Sequence, residues 1–324
     1  MIISRTPFRV SFVGGGTDLP AFYNHEPGAV LSTTIDKYVY ITVNRRFDET
    51  LRISYAKTEI VDNLDSVQHP LFRETMRFTG TTNGVEVTSI ADVPSGTGLG
   101  SSSSFTVGLL HALHAYQNQY KSAGQLAEEA CHIEIEVLGE PIGKQDQYAA
   151  AFGGLRVYEF NTDGKVYVTP VICSRETKAE LFGQLMLFYI GGTRDARQVL
   201  AQQANNTASK LASLRAMRDS VKRFREILVR GTRLAEIGEL LHEGWMCKRQ
   251  LASNVSNGAI DDTYERARKA GAIGGKLLGA GGGGFLLLFC ACQRQNAVRT
   301  ALSELREMSV AYEPEGSKII YVEN

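Results

Sequence analysis

The stretch PSGTGLGSSSS, from Pro94 to Ser104, combines three glycines with a run of four serines and carries no charge. This composition is compatible with a linker, because glycine, serine and proline favour turns. However, GVEVTSIADV before it has valines at alternate positions, and FTVGLLHALHAY after it has apolar residues at helical spacing. A strand, a glycine turn and a helix in this order are typical of an anion-binding loop. From these residues alone, anion binding and an ordinary turn remain equally open.

Two well-known glycine loops do not fit the sequence. A P-loop requires a lysine before its final serine or threonine, but Ser101 follows Gly100 directly. The dinucleotide pattern G-x-G-x-x-G occurs at Gly279, Gly281 and Gly284, but a strand-like apolar run follows it where a Rossmann site needs a helix. A nicotinamide-dependent enzyme is therefore not expected. The serines after Gly100 suit a helix start, where hydroxyl groups can cap free N–H groups.

Composition indicates an ordinary globular protein of 324 residues, with 43% apolar and 22% charged side chains. Thirty-five basic residues balance thirty-five acidic ones, so neither nucleic acid nor an anionic membrane is an expected partner. The N-terminus has no signal-peptide pattern and no stretch approaches the length of a membrane span, which predicts a cytoplasmic location. The cysteines and histidines have no metal-ligand spacing, so any catalytic metal is expected to be held by oxygen.

The pattern of apolar residues predicts a mixed first half and a helix-rich second half. Predicted strands lie at residues 2–13, 30–44, 51–55, 85–91, 155–160 and 166–170. Predicted helices lie at residues 103–119, 123–139, 195–231, 233–252 and 261–270. The segments AELFGQLMLFYIG and GFLLLFCA are expected to contain strands, and a helix is expected in NAVRTALSELREM. The C-terminus is predicted to form a final strand pair that turns at residues 313–317.

One carboxylate of the predicted helix at 123–139 points inward. At about 100° per residue, Glu134 falls in the apolar sector of Leu126, Ala130, Ile133 and Val137. Three other polar residues of this helix, Glu128, His132 and Glu136, fall on the opposite side. An inward carboxylate is costly unless it is paired or bound to a cation. A salt bridge at the helix edge and a cation site both remain open from this pattern.

Two further stretches complete the pattern around Pro94–Ser104. TPFRVSFVGGGTDLPAF lies near the N-terminus and KLLGAGGGGFLLLF near the C-terminus. In this order, the three stretches resemble the signature motifs of the GHMP kinases, and the resemblance covers nearly the whole chain. It implies an α+β fold of two domains. Residues 1–178 would be like ribosomal protein S5 domain 2, residues 179–324 would be ferredoxin-like, and the active site would lie between them.

The resemblance also implies ATP and Mg²⁺ as cofactors. The middle motif would surround the ATP phosphates with backbone N–H groups. The residues so assigned are Pro94, Gly96, Gly98, Gly100, Ser101, Ser102 and Ser103. In the family, a glutamate five residues before the glycine of the next segment helps to hold Mg²⁺, and Glu134 stands in that relation to Gly139. The hydroxyl ligand would be Ser101 or Ser102, with Ser102 preferred.

The catalytic residues implied by the resemblance are Asp146 and Arg9. Asp146 lies in GKQDQ, which is similar to the galactokinase pattern whose aspartate faces the attacking hydroxyl, so it is expected to be the base. On its own, an aspartate at this point is an ordinary helix cap. Arg9 would stabilise the Asp146 carboxylate and help to neutralise the transferred phosphoryl group. A surface arginine is the alternative for Arg9.

The sugar site implied by the resemblance draws on the first and third motifs. Asp18, with Gly16 and Thr17, matches the family aspartate that hydrogen-bonds sugar hydroxyls. The alternative for Asp18 is an Asx-turn after the glycines. Gly281 and Gly282 belong to the third motif, which shapes the site near the phosphates, and a tight turn before a buried strand is compatible with that role.

Within the family, GGGTDLPAFY, GKQDQYAAAFGGL and GGKLLGAGGGGFLLLF look most like the D-glycero-D-manno-heptose 7-phosphate kinases. A substrate with a distal phosphate needs a second cationic site, for which Arg194, Lys248 and Arg249 are candidates. Arg194, after two glycines, is preferred, since Lys248 and Arg249 are each better explained by a solvated helix face. The alternatives are a 1-kinase for a free hexose such as L-fucose and a non-catalytic sensor of sugar and ATP. The sequence leaves the oligomeric state open, a homodimer included.

Overall fold

The computed structural model describes residues 1–192 and 196–323, which form two β-sheets with helices packed against them. Arg194, the preferred candidate for contacting a substrate phosphate, lies outside the described residues. Within the ranges described, no helix combines the length and the apolar character needed to cross a bilayer.

The first sheet has eight strands and is antiparallel except at one pair. Its strands are β1 (Ile2–Val13), β2 (Gly28–Arg45), β3 (Leu51–Ser54), β4 (Thr58–Val61), β5 (Val85–Ala91), β6 (Leu155–Phe160), β7 (Val166–Pro170) and β12 (Lys318–Val322). The long strand β2 pairs with β1 on one edge, while its two halves pair with β6 and β5 on the other. Among the strands of the described ranges, only β3 and β5 run parallel. The sheet places β1 and β5, which lead into the first and second glycine motifs, on either side of β2.

The last strand, β12, joins this first sheet beside β1, with Val322 opposite Ile2. The predicted strand pair turning at residues 313–317 is therefore wrong, because Tyr312 forms a bridge to Ile35 on β2 instead. The edge of β1 pairs with β12 at four positions, from Ile2–Val322 to Arg5–Lys318. The predicted domain boundary at residue 178 stays a prediction. Beyond that residue, the chain forms the second sheet and then returns to the first sheet through β12.

The second sheet has four antiparallel strands in the order β11–β8–β10–β9. These strands are β8 (Leu185–Tyr189), β9 (Gly274–Leu277), β10 (Phe285–Phe289) and β11 (Arg306–Met308). Numbered along the chain from one to four, the strand order is 4-1-3-2, with helices after the first and third strands. This is the βαββαβ arrangement of a ferredoxin-like fold. The predicted architecture of the second half is confirmed.

Eleven α-helices are assigned within the described residues. They are α1 (Pro20–Tyr23), α2 (Pro70–Thr79), α3 (Ser101–Tyr116), α4 (Ala123–Cys131), α5 (Gln145–Phe152), α6 (Arg175–Gly183), α7 (Ala196–Asn206), α8 (Leu211–Arg230), α9 (Ala235–Arg249), α10 (Gly258–Ala270) and α11 (Gln295–Ala301). Helix α3 packs closely on β1, because a Cβ at Gly108 would lie 2.7 Å from Thr6 Oγ1. Helix α8 reaches the first sheet, where Phe224 stacks on Phe12 at a centroid distance of 5.0 Å. Apolar contact of this kind joins the two halves of the chain around one cavity.

Candidate active site

The loop of the middle motif holds its three glycines in a left-handed backbone conformation. Gly96, Gly98 and Gly100 have φ values of 76°, 85° and 74°, which L-residues with side chains rarely adopt. Gly100 caps α3 without a side-chain hydrogen bond, so the predicted capping by serine hydroxyls is wrong. The N–H groups of the first helical turn remain directed beyond the helix start. The loop and helix therefore provide backbone donors for an anion.

The middle motif and the third motif are in direct backbone contact. A Cβ built on Gly98 would lie 2.6 Å from the carbonyl oxygen of Leu278, and one built on Gly279 would lie 2.5 Å from Gly98 Cα. Neither position has room for a side chain. Two loops that are 180 residues apart in sequence thus form one wall of the site.

The serines at the start of α3 make hydrogen bonds with Glu134 instead of capping the helix. Ser103 Oγ donates to Glu134 Oε2 at 2.8 Å, and Ser102 Oγ donates to Oε1 at 3.3 Å. Thr106 Oγ1 also donates to Oε1, at 3.1 Å, and Gln147 Nε2 donates to Oε2. Glu134 is 1% exposed, so the predicted inward position is confirmed. No salt bridge to Glu134 is found among the described residues, which removes the helix-edge alternative for that part of the chain.

The environment of Glu134 suits a cation. Burial, the largest effect, raises the pKa of this carboxyl to about 7, and the negative charge of Asp146 adds to the rise. A divalent ion would reverse this penalty, since the ion favours the charged carboxylate. Within residues 1–192 and 196–323, no three acidic, histidine or cysteine side chains are grouped so that they could hold a metal ion by themselves. The oxygens of Glu134 and Ser102 fit Mg²⁺, whose protein ligands are usually one or two carboxylates completed by substrate phosphates and water.

The turn that carries Glu134 is π-helical from His132 to Val137. The wider turn changes the angle per residue, so the face predicted at 100° per residue ends early. Ile133 and Glu134 are buried as expected, whereas Val137 is 48% exposed. The prediction for Val137 is therefore wrong, and the π-turn is the reason.

Arg9 and Asp146 form a buried bidentate ion pair. Arg9 Nε donates to Asp146 Oδ1 and Nη2 to Oδ2, both at 2.7 Å. Arg9 Nη1 donates to the carbonyl oxygen of Gly98 at 2.6 Å, which ties the pair to the glycine loop. Arg9 is 4% exposed, so it is not a surface arginine, while the Asp146 side chain keeps 24% exposure. Asp146 lies in the first turn of α5, but its oxygens bind Arg9 rather than a backbone N–H group.

Asp18 lies at the same cavity, held by two donors. Gly16 N donates to Oδ1 at 2.9 Å and Gln145 Nε2 donates to Oδ2 at 3.0 Å. An Asx-turn would need an N–H group two residues later, which Pro20 lacks, so that alternative is wrong. Burial, followed by the negative charge of Asp146, raises the pKa of Asp18.

Several predicted site residues support the loops without lining the cavity. Thr17 Oγ1 donates to the carbonyl oxygens of Gly14 and Ala29, at 2.8 and 3.0 Å. The Pro94 carbonyl oxygen accepts a hydrogen bond from Thr97 Oγ1 at 3.0 Å.

The tip of the third motif also lies away from the cavity. Gly282 N donates to the carbonyl oxygen of Val255 at 2.8 Å, and Gly281 packs against the same residue. Gly279 and Ala280 line the cavity instead. The third motif therefore lines the cavity through Gly279 and Ala280, which precede the predicted residues Gly281 and Gly282.

Of the cations predicted to contact a substrate phosphate, Lys248 and Arg249 lie in the described part of the chain. Of these two, Lys248 reaches the cavity. Lys248 is 7% exposed, and Nζ donates to the carbonyl oxygens of Leu277 and Gly279, the former at 2.9 Å. The expectation that it lies on a solvated face is wrong, because α9 turns this side chain toward the third motif. Arg249 points elsewhere and pairs with Asp261 at 2.6 Å.

These groups surround a single cavity of about 460 Å³. Its lining includes the predicted residues Arg9, Asp18, Gly98, Ser102, Glu134 and Asp146. A cavity of this size holds small ligands. The structure thus brings anion-binding amides, a paired carboxylate and a buried carboxylate into one space, an arrangement suited to transferring a charged group between two small molecules.

Ser11, Gln145 and Lys276 are among the cavity residues to which the sequence analysis gives no role. Ser11 lies two positions after Arg9, so both side chains project from the same face of β1. Ser11 Oγ and Gln145 Oε1 are buried without a hydrogen-bond partner among the described residues. Lys276 lies just before the third motif and is 5% exposed. The alternation of β1 is a signal that could have identified Ser11, whereas the burial of Lys276 depends on contacts with the first sheet.

Comparisons with known proteins agree with this geometry. A model of the N-terminal domain of GHMP kinases matches residues 67–154, and one of the C-terminal domain of GHMP kinases matches residues 217–310. The chain is 31% identical to a D-glycero-alpha-D-manno-heptose 7-phosphate kinase of Campylobacter jejuni, over 89% of each chain.

Two other comparisons concern sugar kinases. The chain is 25% identical to a bifunctional fucokinase/GDP-fucose pyrophosphorylase of Arabidopsis thaliana, over 94% of this chain and 31% of that longer protein. The crystal structure of a D-glycero-D-manno-heptose 1-phosphate kinase from Bacteroides thetaiotaomicron superposes with a TM-score of 0.84. That alignment covers the whole of both chains at 24% identity, so it bears on the fold.

Proposed function

Because the chain belongs to the GHMP kinase family, we propose that it phosphorylates the anomeric hydroxyl of D-glycero-D-manno-heptose 7-phosphate, giving the 1,7-bisphosphate. That it is an ATP-dependent sugar kinase follows from the family and its relatives. The choice of acceptor is the proposal. The observation that carries it is the 31% identity to a heptose 7-phosphate kinase, together with a cavity that contains both a catalytic pair and further buried cations.

Asp146 acts as the base in this proposal. The anomeric oxygen attacks the γ-phosphorus of ATP, the new O–P bond forms, and the bond to the bridging β,γ-oxygen breaks to release ADP. The hydroxyl proton passes to a carboxylate oxygen of Asp146, which keeps a free lone pair beside the bond from Arg9. Because phosphoryl transfer has a loose transition state, correct positioning of the hydroxyl contributes more than proton removal.

Arg9 and the glycine loop stabilise the charge that moves during transfer. The guanidinium of Arg9 neutralises the carboxylate of Asp146 and also donates a hydrogen bond to the carbonyl oxygen of Gly98. This places the base at a fixed position relative to the backbone donors of the loop and of α3. Such preorganised charges are worth more in a cavity shielded from water than in solution.

Glu134 and Ser102 would hold Mg²⁺, and a bound ion would neutralise part of the charge on the ATP phosphates. Ser103 Oγ, which makes the shorter bond to Glu134, keeps the carboxylate oriented. Gln147 and Thr106 complete the set of donors around the same carboxylate. The chain itself therefore supplies an oriented acidic oxygen next to the start of α3.

Asp18 is proposed to accept hydrogen bonds from sugar hydroxyls. Its two oxygens are fixed by Gly16 N and Gln145 Nε2, and each oxygen retains acceptor capacity. Ser11 Oγ and Gln145 Oε1 are buried polar atoms of the same cavity that need partners. Hydroxyl groups of a sugar would supply them.

A 1-kinase for free L-fucose is the second candidate, because fucokinase sequences of Arabidopsis thaliana and Bacteroides fragilis also align with more than nine tenths of the chain. A panel of acceptors separates the two. ADP release is measured with Mg-ATP and, in turn, D-glycero-D-manno-heptose 7-phosphate, the unphosphorylated heptose, mannose, L-fucose and galactose. The proposal expects the heptose 7-phosphate to have the highest kcat/KM, and a free hexose with a higher value would refute it.

A further inference from the structure

Lys276 is a buried cation that the catalytic steps above do not use. It lies on β9, where Leu277 faces the core of the second half and Lys276 faces β1. Its Nζ donates to the carbonyl oxygen of Phe12 at 3.0 Å. No carboxylate lies within 4.0 Å of this ammonium group among the residues that the structure describes. A buried charge is costly unless it is paired, so this lysine requires a separate explanation.

A second buried lysine lies nearby and makes the excess of positive charge larger. Lys248 Nζ is held by the carbonyl oxygens of Leu277 and Gly279, and it too has no carboxylate within 4.0 Å in the described ranges. Burial, then the positive charges of Lys276 and Arg9, lowers the pKa of Lys248. Burial, then the charge of Arg9, lowers the pKa of Lys276 to about 7. The carboxylate of Asp18 opposes both effects, but only in part.

The two lysines differ in how many of their donors are used. An ammonium group has three N–H donors. Lys248 uses two of them on backbone carbonyls, whereas Lys276 uses one. Lys276 therefore retains the capacity to donate two hydrogen bonds, and both side chains line the cavity. Lys248 fixes the third-motif backbone and adds charge, while Lys276 is the group free to contact a ligand.

The charges of the cavity can be divided by their contacts. Arg9 and Asp146 neutralise each other through two hydrogen bonds. Glu134 lies beside the serines of α3, where the metal is proposed. Glu140 pairs with Arg197 at the same cavity. The remaining carboxylate and ammonium groups of the lining are Asp18, Lys248 and Lys276, which together carry one net positive charge when both lysines are protonated. A dianionic ligand with several acceptor oxygens would match this excess and the free donors of Lys276.

We propose that Lys276, supported by Lys248, forms a binding site for a phosphate group inside the cavity. Two sources of that group have the same chemistry: the distal phosphate of the sugar substrate and the γ-phosphate of ATP. The first source rests on the proposed function, because it requires a phosphorylated acceptor. The second requires only that the chain uses ATP.

The test compares the wild type with K276M, which keeps the length of the side chain and removes its charge. K269M makes the same change on the exposed face of α10 and is the matched control. For each protein, kcat and KM are measured with heptose 7-phosphate and with the unphosphorylated heptose, and the Kd of ATP is measured separately. A lost hydrogen bond between charged groups corresponds to a decrease of about 10- to 100-fold in kcat/KM.

A decrease of that size with the heptose 7-phosphate alone identifies the distal phosphate as the ligand. A similar decrease with both acceptors, together with weaker ATP binding, identifies the γ-phosphate. Unchanged kcat/KM with both acceptors and an unchanged Kd of ATP would overturn the inference. If the wild type uses only free sugars, the proposed function fails, and the Kd of ATP for K276M still decides whether the phosphate site exists.

Loss of folding is controlled separately. Removing a buried charge that has no carboxylate partner should leave the melting temperature unchanged or raise it. K276Q, which keeps hydrogen-bonding capacity without charge, is measured in parallel. If both variants fail to fold, the test uses the wild type alone. The quantity measured is then the ratio of its kcat/KM with the heptose 7-phosphate to its kcat/KM with the unphosphorylated heptose. A ratio near one, together with no inhibition by inorganic phosphate in competition with either ATP or the sugar, would contradict the inference.

Discussion

Both oxygens of Asp146 accept hydrogen bonds of 2.7 Å from Arg9, and the third nitrogen of that arginine donates to the carbonyl oxygen of Gly98. One buried cation therefore connects the carboxylate of α5 with the glycine loop before α3. Asp146, the proposed base, cannot move relative to the loop without breaking a charge-assisted hydrogen bond. This rigidity is what phosphoryl transfer requires, since alignment of the attacking oxygen governs the rate.

Replacing Asp146 with asparagine should abolish most turnover while leaving nucleotide binding intact. D146N keeps the shape of the side chain but lacks the charge and the proton acceptor, so we expect kcat to fall by about 10²- to 10⁴-fold. The Kd of ATP, measured by calorimetry, should stay within about threefold of the wild type. D262N, on the exposed side of α10, is the matched control. Turnover of D146N at the wild-type rate would remove Asp146 from the mechanism.

Replacing Arg9 with lysine keeps the charge but not the geometry. Lysine cannot form two parallel bonds to Asp146 and a third to Gly98, because its donors share one nitrogen. We expect R9K to lower kcat by at least about 10-fold, with a smaller change in the KM of ATP. Steady-state kinetics over both substrates measures this. An effect limited to KM would indicate that Arg9 serves ground-state binding instead of the transfer step.

Two glycines of the same loop should differ in their tolerance of alanine. Both have positive φ, so G96A and G98A each cost about 1–2 kcal/mol of backbone strain. Nothing lies within 4 Å of a Cβ at Gly96, whereas a Cβ at Gly98 would meet Leu278 O at 2.6 Å. We therefore expect G98A to lower the melting temperature and ATP affinity well beyond G96A. Equal effects, measured by thermal unfolding and calorimetry, would show that the two motifs do not need this close contact.

The stability of the metal-free protein should depend on the ionisation of Glu134. Burial raises its pKa to about 7, above the ordinary value of 4.5, so folding favours the protonated carboxyl. This contribution to stability is complete below pH 4.5 and is lost as the pH rises through about 7. E134Q is neutral throughout, so its melting temperature should gain on the wild type between pH 5 and pH 8. If the difference in melting temperature between E134Q and the wild type stayed constant from pH 5 to pH 8, the pKa of Glu134 would not be raised.

Asp18 should affect the sugar and not the nucleotide. D18N retains one oxygen but places an amide where a carboxylate accepts hydrogen bonds, so we expect the KM of the sugar to rise by about 10-fold or more. The KM of ATP should change little, because Asp18, held by Gly16 and Gln145, lies where the sugar is proposed to bind. Kinetics with each substrate varied in turn distinguishes these effects. A selective rise in the KM of ATP would show that Asp18 contacts the nucleotide and that its assignment to the sugar is wrong.

The sequence predicted the local features of this site well. The glycine loop, the inward Glu134 and the strand–loop–helix order depend on neighbouring residues, and each is found in the structure. Helix α2 was not predicted, although Phe72, Thr75 and Met76 form a buried helical stripe and Gly80 ends it in a left-handed conformation. A proline at its first position is a further start signal.

Features that depend on distant contacts could not be read in the same way. Lys248 lies on a helix whose sequence does not show that its face meets the third motif. The exposure of Val137 follows from a π-turn, for which the residues give no periodic signal. The place of β12 beside β1 depends on an open sheet edge more than 300 residues away. For Lys248 and β12 the deciding partner lies elsewhere along the chain, whereas for Val137 it is the local geometry of the helix.

The central claim, that the chain phosphorylates the anomeric hydroxyl of a heptose 7-phosphate, is tested most directly by identifying the product. The protein is incubated with Mg-ATP and D-glycero-D-manno-heptose 7-phosphate, and the reaction is followed by phosphorus NMR with proton correlation. The account predicts a second phosphate monoester signal coupled to the anomeric proton, formed in step with ADP and absent with D146N. An unconsumed heptose 7-phosphate, or a new phosphate on any other carbon, would contradict it.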